Sequence, residues 1–177
     1  MAQFNLGKCY DDEEGIAVNK SEAVKWYKLA AEKGNANAQS YLGYCYDFGA
    51  GIAVDKCEAF KWYKRAAEAG NTTAQYNLGK CYKNGEGVAV NKSEAVKWYK
   101  LAAEKGFANA QRSLGVCYMN GEGIDSNKQE AVKWFKCAAE KGDAKSQHFL
   151  GMCYEHGHGG VAVDKKEADK WYALAMK

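Results

Sequence analysis

Proline is absent from the 177 residues, and 19 glycines without it exclude a collagen-like chain. An excess of either charge is also missing. The 25 Lys and Arg stand against 22 Asp and Glu, a formal net charge of +3. That balance provides no electrostatic footprint for nucleic acid or for an acidic membrane surface. No apolar run approaches the roughly 20 residues of a membrane helix. Residues 1–10 carry no basic stretch followed by an apolar one, so no secretory signal is visible. Disulfide-dense miniature folds are excluded too: the 7 cysteines are odd in number and lack paired spacing, a pattern of reducing compartments. The expected location is cytoplasmic, or secreted if an upstream signal has been removed. What remains is 47% hydrophobic and 27% charged, the composition of a folded chain.

The organisation emerges on self-comparison. Shifted by 36 residues, the chain lands on itself. Leu6-Gly7 recurs at 42, 78, 114 and 150, and Cys9-Tyr10 at 45, 81, 117 and 153. Trp26 recurs as Trp62, Trp98, Trp134 and Trp171, the last step being 37 because Gly160 is an extra loop residue. The repeats read as 2–37, 38–73, 74–109, 110–145 and 146–177, one domain over residues 1–177.

Each repeat reads as two helices. Asn19, Asp55, Asn91, Asn127 and Asp164 occupy N-cap positions, followed three residues later by Glu22, Glu58, Glu94, Glu130 and Glu167. That is capping-box spacing. Ala23, Trp26, Tyr27, Ala30 and Ala31 then form an amphipathic stripe. Gly34, Gly70, Gly106 and Gly142 stop the second helix as left-handed residues do. In the first helix, Gly7 and its equivalents permit a neighbouring helix to approach closely. Glycine pairs such as Gly49 and Gly51 break the chain between helices. Glu13 occupies the first of these glycine positions in repeat 1, where a positive φ would cost about 1 kcal/mol. One hairpin cannot bury both stripes, whereas stacked hairpins can, which predicts an all-α solenoid.

The string A-Q-x-x-L-G-x-C-Y, then G-x-G-[IV], then E-A-x-K-W-[YF]-x-x-A-A-E-x-G resembles the Sel-1-like repeat family, relatives of the tetratricopeptide repeats. The resemblance implies a right-handed α-solenoid of five helix-turn-helix repeats and an adaptor or scaffold function. Members often carry Pro where Ala17, Ala53, Ala89 and Asp125 stand here, which loosens the loop without changing the fold. Cysteine-rich bacterial relatives pair cysteines within each repeat; this chain does not show that spacing.

Comparing the repeats with one another separates fixed from free positions. In the first helix, positions 4, 5, 8, 11 and 12 are free and share an arc of about 120°. By resemblance to tetratricopeptide arrays, this face lines a concave groove. Repeat 1 supplies Phe4, Lys8, Asp11 and Asp12, and repeat 2 Tyr41, Tyr44 and Phe48. Repeat 3 supplies Tyr76, Lys80 and Asn84, and repeat 4 Arg112, Val116 and Met119. Repeat 5 supplies His148, Phe149, Met152 and His156. Aromatic, Met and Arg side chains are those of protein interfaces. The expected ligand is a protein or peptide segment across repeats 2 to 5; the alternative is a solvated face whose apolar residues pack on neighbours.

Other constellations point to structure. The Cys column reads as small core residues, and equivalent helices lie about 8–10 Å apart, too far for a bridge. The Trp column reads as core. Lysines such as Lys25, Lys61, Lys97 and Lys133 alternate with acids on a solvated face. Residues 11–14, all acidic, lack the spaced oxygens of a calcium loop. His148, Met152 and His156 span about 12 Å along one helix, leaving His156 and His158 as the close pair; no metal and no cofactor are expected. No nucleophile-base motif, phosphate loop or H-E-x-x-H is present, so the chain reads as a non-enzyme. A first helix starting at Ala2 leaves a stacking surface open. Either residues precede it, or that edge makes an end-to-end contact with another chain. At the other end, Asp169 replaces an apolar position.

Overall fold

The computed structural model describes residues 2–11 and 18–176. Among them are ten α-helices and no strand. The chain forms two compact units, 1–90 and 91–177. The first holds α1 (Ala2–Asp11), α2 (Lys20–Glu32), α3 (Ala36–Phe48), α4 (Lys56–Glu68) and α5 (Thr72–Asn84). The second holds α6 (Lys92–Glu104), α7 (Ala108–Asn120), α8 (Lys128–Ala139), α9 (Ala144–His156) and α10 (Lys165–Ala175). Within each unit every helix packs on the next in the chain, as expected of stacked hairpins. The readings at Asp12, Glu13, Glu14 and Ala17 lie outside the described residues.

The N-caps of the second helices are as expected: Asn19, Asp55, Asn91, Asn127 and Asp164 accept from the backbone N–H three residues on. The reciprocal half of the capping box is replaced. Glu22, Glu58, Glu130 and Glu167 pair with the lysine one turn further on, at 2.5–2.8 Å. The N-cap N–H is free to do otherwise because it already donates to the preceding hairpin helix, as from Asn19 to Tyr10 O and from Asp55 to Tyr46 O, both 2.9 Å. The cap therefore ties the two helices of a repeat together. At the other end, Gly34 has φ +84°, its N–H reaches Ala31 O, and the Asn35 N–H reaches Ala30 O. That is a Schellman closure.

First helices begin two residues earlier than the repeat starts suggest. Asn35, Asn71 and Asp143 are their N-caps, while Phe107 caps α7 without a side-chain bond. Across each repeat junction a buried Gln follows: Gln39 donates to Ala31 O, Gln75 to Ala67 O, Gln111 to Ala103 O and Gln147 to Ala139 O, at 3.1–3.2 Å. Each of these carbonyls already accepts from the glycine that ends its helix, as Ala31 O does from Gly34, so the Gln supplies a further donor and fastens one repeat to the next.

The core differs from expectation in one respect. In repeats 1, 2 and 4 the residue after the Trp is deepest: Tyr27, Tyr63 and Phe135 are fully buried, while Trp26, Trp98, Trp134 and Trp171 are half-buried and Trp62 alone of the column is buried as expected. The glycine explains it. A Cβ on Gly43 would stand 2.7 Å from Tyr63 Cδ1, and Gly7 and Gly115 face Tyr27 and Phe135 in the same way. The aromatic ring lies flat in the notch, and the indole is left at its margin. Cys45, Cys81, Cys117 and Cys153 are buried as expected, and Cys9 is half-buried.

Candidate functional site

The free face of the first helix is built unevenly. On α3, Tyr41, Tyr44 and Phe48 are exposed by 38%, 48% and 58%. Their backbone is rigid: Asn35 caps one end of α3, and Gly49, at φ +74°, closes the other. The rings support each other. Tyr41 lies against Phe4 and Tyr27 at 5.5 and 5.3 Å, and Tyr44 against Phe48 at 4.8 Å, with Lys56 Nζ above the Phe48 ring. Beside them α3 and α5 enclose a cavity of about 320 Å³, lined by Asn37, Ser40, Tyr41, Tyr44, Thr73 and Asn77 together with Asn71. Asn71 Nδ2 donates to Asn37 Oδ1 at 2.9 Å, so the two helix starts are linked at its floor. Of the repeat 3 residues, Tyr76 and Lys80 are half-buried and Asn84 is exposed.

The second unit places its share differently. His148, Met152 and His156 are exposed on α9, and the His148 ring lies 5.2 Å from that of Tyr172. Phe149 stacks on Phe135 at 4.8 Å. Arg112 is committed elsewhere: it forms an ion pair with Asp143, the N-cap of α9, and donates to Asn109. Val116 and Met119 pack against the cluster around Phe135. Arg112 thus ties α7 to the start of α9, Met119 packs into the core around Phe135, and the exposed aromatic stretch is concentrated on α3.

Position 11 of the repeat also has a structural partner. Tyr27 Oη donates to Asp11 at 3.3 Å, Tyr63 Oη to Asp47 at 3.4 Å and Tyr172 Oη to Glu155 at 2.8 Å. Burial first, and then the Asp47 charge, push the Tyr63 hydroxyl far above its ordinary value. Lys56 donates to Asp47 at 2.5 Å, and that bond raises the ammonium pKa. Burial lifts the Cys45 thiol to about 11 and that of Cys81 to about 12.

The His156 and His158 rings are 5.6 Å apart, and no group of three or more His, Cys, Asp or Glu among the described residues is arranged to hold a metal ion. No described helix is long and apolar enough to cross a membrane. Ser40 and Asn77 fall at positions 4 and 5 of the repeat, on the face expected to line the groove, although neither was singled out, and Asn37 and Thr73 lie outside the expected positions. Their signal was their register, on the same face as Tyr41 and Tyr44.

The sequence model of the Sel1 repeat matches residues 1–35, 36–71, 72–107, 108–143 and 144–176, with boundaries that fall at the observed N-caps of the first helices. Among solved structures, a protective antigen present in uropathogenic Escherichia coli strains and displaying an SLR fold superposes with a TM-score of 0.94. It is 35% identical over 99% of this chain, which spans 37% of that protein. A Sel1 repeat protein from Oxalobacter formigenes gives 0.91 at 38% identity, over 99% of this chain and 72% of that one. A putative Sel1 repeat protein from Klebsiella pneumoniae gives 0.62 at 21% identity, over 99% and 85%, a likeness of fold alone. A comparison with curated proteins gave no match. With five matched repeats and ten helices in place, this all-α solenoid chain belongs to the Sel1 repeat family.

Proposed function

We propose that the chain is a non-catalytic scaffold that holds an extended protein segment along its first-helix face. Sel1 repeats generally mediate protein–protein interaction. The observation that carries the reading is the cavity between α3 and α5, where Tyr41 and Tyr44 stand beside Asn37 and Asn77. A carboxamide offers a donor and an acceptor, as a peptide group does, so it pairs with the backbone of an extended chain. Tyrosines add large contact area for few rotatable bonds. The lining is uncharged, which suits a neutral polar segment better than a phosphate-bearing one. In the proposal Tyr76, Lys80 and Asn84 extend this groove within the first unit, and His148, Met152 and His156 offer a first-helix face of their own in the second.

An affinity capture from native extract tests it, with Tyr44→Ala, Tyr76→Ala, Met152→Ala as control bait. A protein held by the wild type and lost by the control supports the groove. One held equally by both moves the site elsewhere.

A second reading, a host-contact factor acting outside the cell, draws on the 35% identity to a protective antigen. Recovery of the protein from culture medium rather than cytosol favours it.

A further inference from the structure

The cavity between α3 and α5 is the place of a missing ring. At the preceding junction Phe4, Tyr27 and Tyr41 form a cluster of three rings, with centroids 5.3–5.8 Å apart. In the second unit the same three positions hold Arg112, Phe135 and Phe149. There Phe149 stacks on Phe135, and Arg112 pairs with Asp143. Between α3 and α5 they are Ser40, Tyr63 and Asn77. Tyr63 alone brings a ring, and it is fully buried against Gly43. A hydroxymethyl group and a short amide do not fill the space of two rings, and a cavity of about 320 Å³ opens beside them.

Its lining is that of a built site rather than a packing defect, whose walls would be apolar. Ser40 is 7% exposed yet lines the cavity, and Asn77 is half-buried. Among the described residues neither side chain has a hydrogen-bond partner. Asn71 and Asn37 are bonded to each other, and Asn71 also caps α5, so the free polar groups come chiefly from Ser40 and Asn77. The apolar part of the wall is the rings of Tyr41 and Tyr44, held by Phe4 and Phe48. An occupant that satisfies both parts has a flat apolar body and one neutral polar end. A phenylalanine ring leaves the hydroxyl and the amide dry and unpaired. A serine or carboxamide side chain leaves the ring faces uncovered. A carboxylate, phosphate or ammonium meets no opposite charge in the lining. A phenol meets every requirement.

We propose that the cavity receives one tyrosine side chain of the bound segment, its ring against Tyr41 and Tyr44 and its hydroxyl on Ser40 and Asn77. The segment thereby returns to repeat 2 the ring that Phe4 supplies to repeat 1. The inference rests on the reading of the first-helix face as a protein-binding surface, and adds the residue that this surface selects. Phosphorylation of that tyrosine excludes it from the cavity, whose lining holds no cation.

Two blocked pentapeptides test the proposal, acetyl-Gly-Gly-Tyr-Gly-Gly-amide and its phenylalanine counterpart. Each is titrated into the 177-residue chain, with backbone amide chemical shifts as the readout. The tyrosine peptide should shift the Ser40 and Asn77 amides saturably and bind about tenfold more tightly than the phenylalanine peptide. Ser40→Phe fills the cavity from within, as Phe4 does one repeat earlier. It should abolish binding while circular dichroism shows the helices intact. Ser40→Ala with Asn77→Leu keeps the space and removes the partners of the hydroxyl, so the two peptides should then bind alike. Absence of saturable shifts with the tyrosine peptide overturns the proposal. So does equal binding of both peptides by wild type, binding of the phosphotyrosine peptide at this site, or binding that survives in a folded Ser40→Phe. A protein captured through Tyr44 that the tyrosine peptide does not displace overturns this selectivity and leaves the groove standing. A tyrosine peptide seated in the cavity, with no protein captured, overturns the groove and leaves the selectivity.

Discussion

Tyr63 Oη lies 3.4 Å from Asp47 Oδ2, between α4 and α3 in one hairpin. Repeat 4 shows what the relationship is worth. There the acceptor position is Met119, and the ring in the notch is Phe135, which has no hydroxyl to satisfy. In repeat 4 both members differ together, as a buried donor and its acceptor require, whereas repeat 3 keeps Tyr99 with Lys83 at the acceptor position.

A double-mutant cycle follows from this. Asp47→Met should destabilise by leaving a buried hydroxyl without its acceptor, and Tyr63→Phe in that background should recover part of the loss. The coupling expected from urea midpoints is about 1 kcal/mol. Additive effects would contradict the pairing. Lys56, with its side chain 41% exposed, can turn to solvent in either variant.

Gly43→Ala should be costly because the new Cβ meets the Tyr63 ring, an overpacking of about 1–3 kcal/mol. In a Tyr63→Ala background that cost should shrink markedly. Gly142→Ala is a different case. Nothing lies within 4 Å of its Cβ, and φ is +86°, so backbone strain of about 1–2 kcal/mol is the whole effect and should not couple to Tyr63. Equal coupling at both glycines would refute the notch.

Phe135→Ala should exceed Trp134→Ala in cost, although tryptophan is the larger side chain. Phe135 is fully buried, and its loss opens a cavity worth about 3–5 kcal/mol. Trp134 is half-buried and surrenders only part of its contact. Thermal melts of the two variants settle the order.

Stability should fall on the alkaline side. Burial raises Cys45 from 9.0 to about 11 and Cys81 from 9.0 to about 12, and Tyr63 and Lys56 shift in the same direction. Above pH 9 the unfolded thiols lose protons that the folded thiols keep. The folded state then binds more protons, and stability drops by at most about 1.4 kcal/mol per pH unit for each thiol. The urea midpoint should be level below pH 8, then fall between pH 9 and 12. Cys81→Ala should flatten part of that slope. A midpoint unchanged to pH 11 would contradict the burial of these groups.

Much of the architecture is written in single positions. The second helices announce themselves because Asn or Asp at the N-cap has one obvious use. The first helices are harder. Asn35 and Asn71 look like loop residues after glycine, and Phe107 carries no capping signal at all, so the repeat starts read two residues late. The small-with-large pattern was visible, but nothing in spacing says whether Trp62 or Tyr63 occupies the notch beside Gly43. Only the helix crossing decides that. The candidate site was legible where it is aromatic, at Tyr41 and Tyr44. Its polar part was legible by position, at Ser40 and Asn77, but not by residue type, because an amide facing a cavity and an amide facing water have the same composition. Arg112 was read as an interface residue because its partner, Asp143, is 31 positions away, at the N-cap of α9.

The most direct test of the first-helix groove is site-specific photocrosslinking in native extract. A photoreactive residue replaces Tyr44 in one sample and Lys61, on the exposed face of α4, in another. The groove account expects a discrete adduct from position 44 that is absent from position 61. An adduct at position 61 alone, or equal adducts at both, would contradict it.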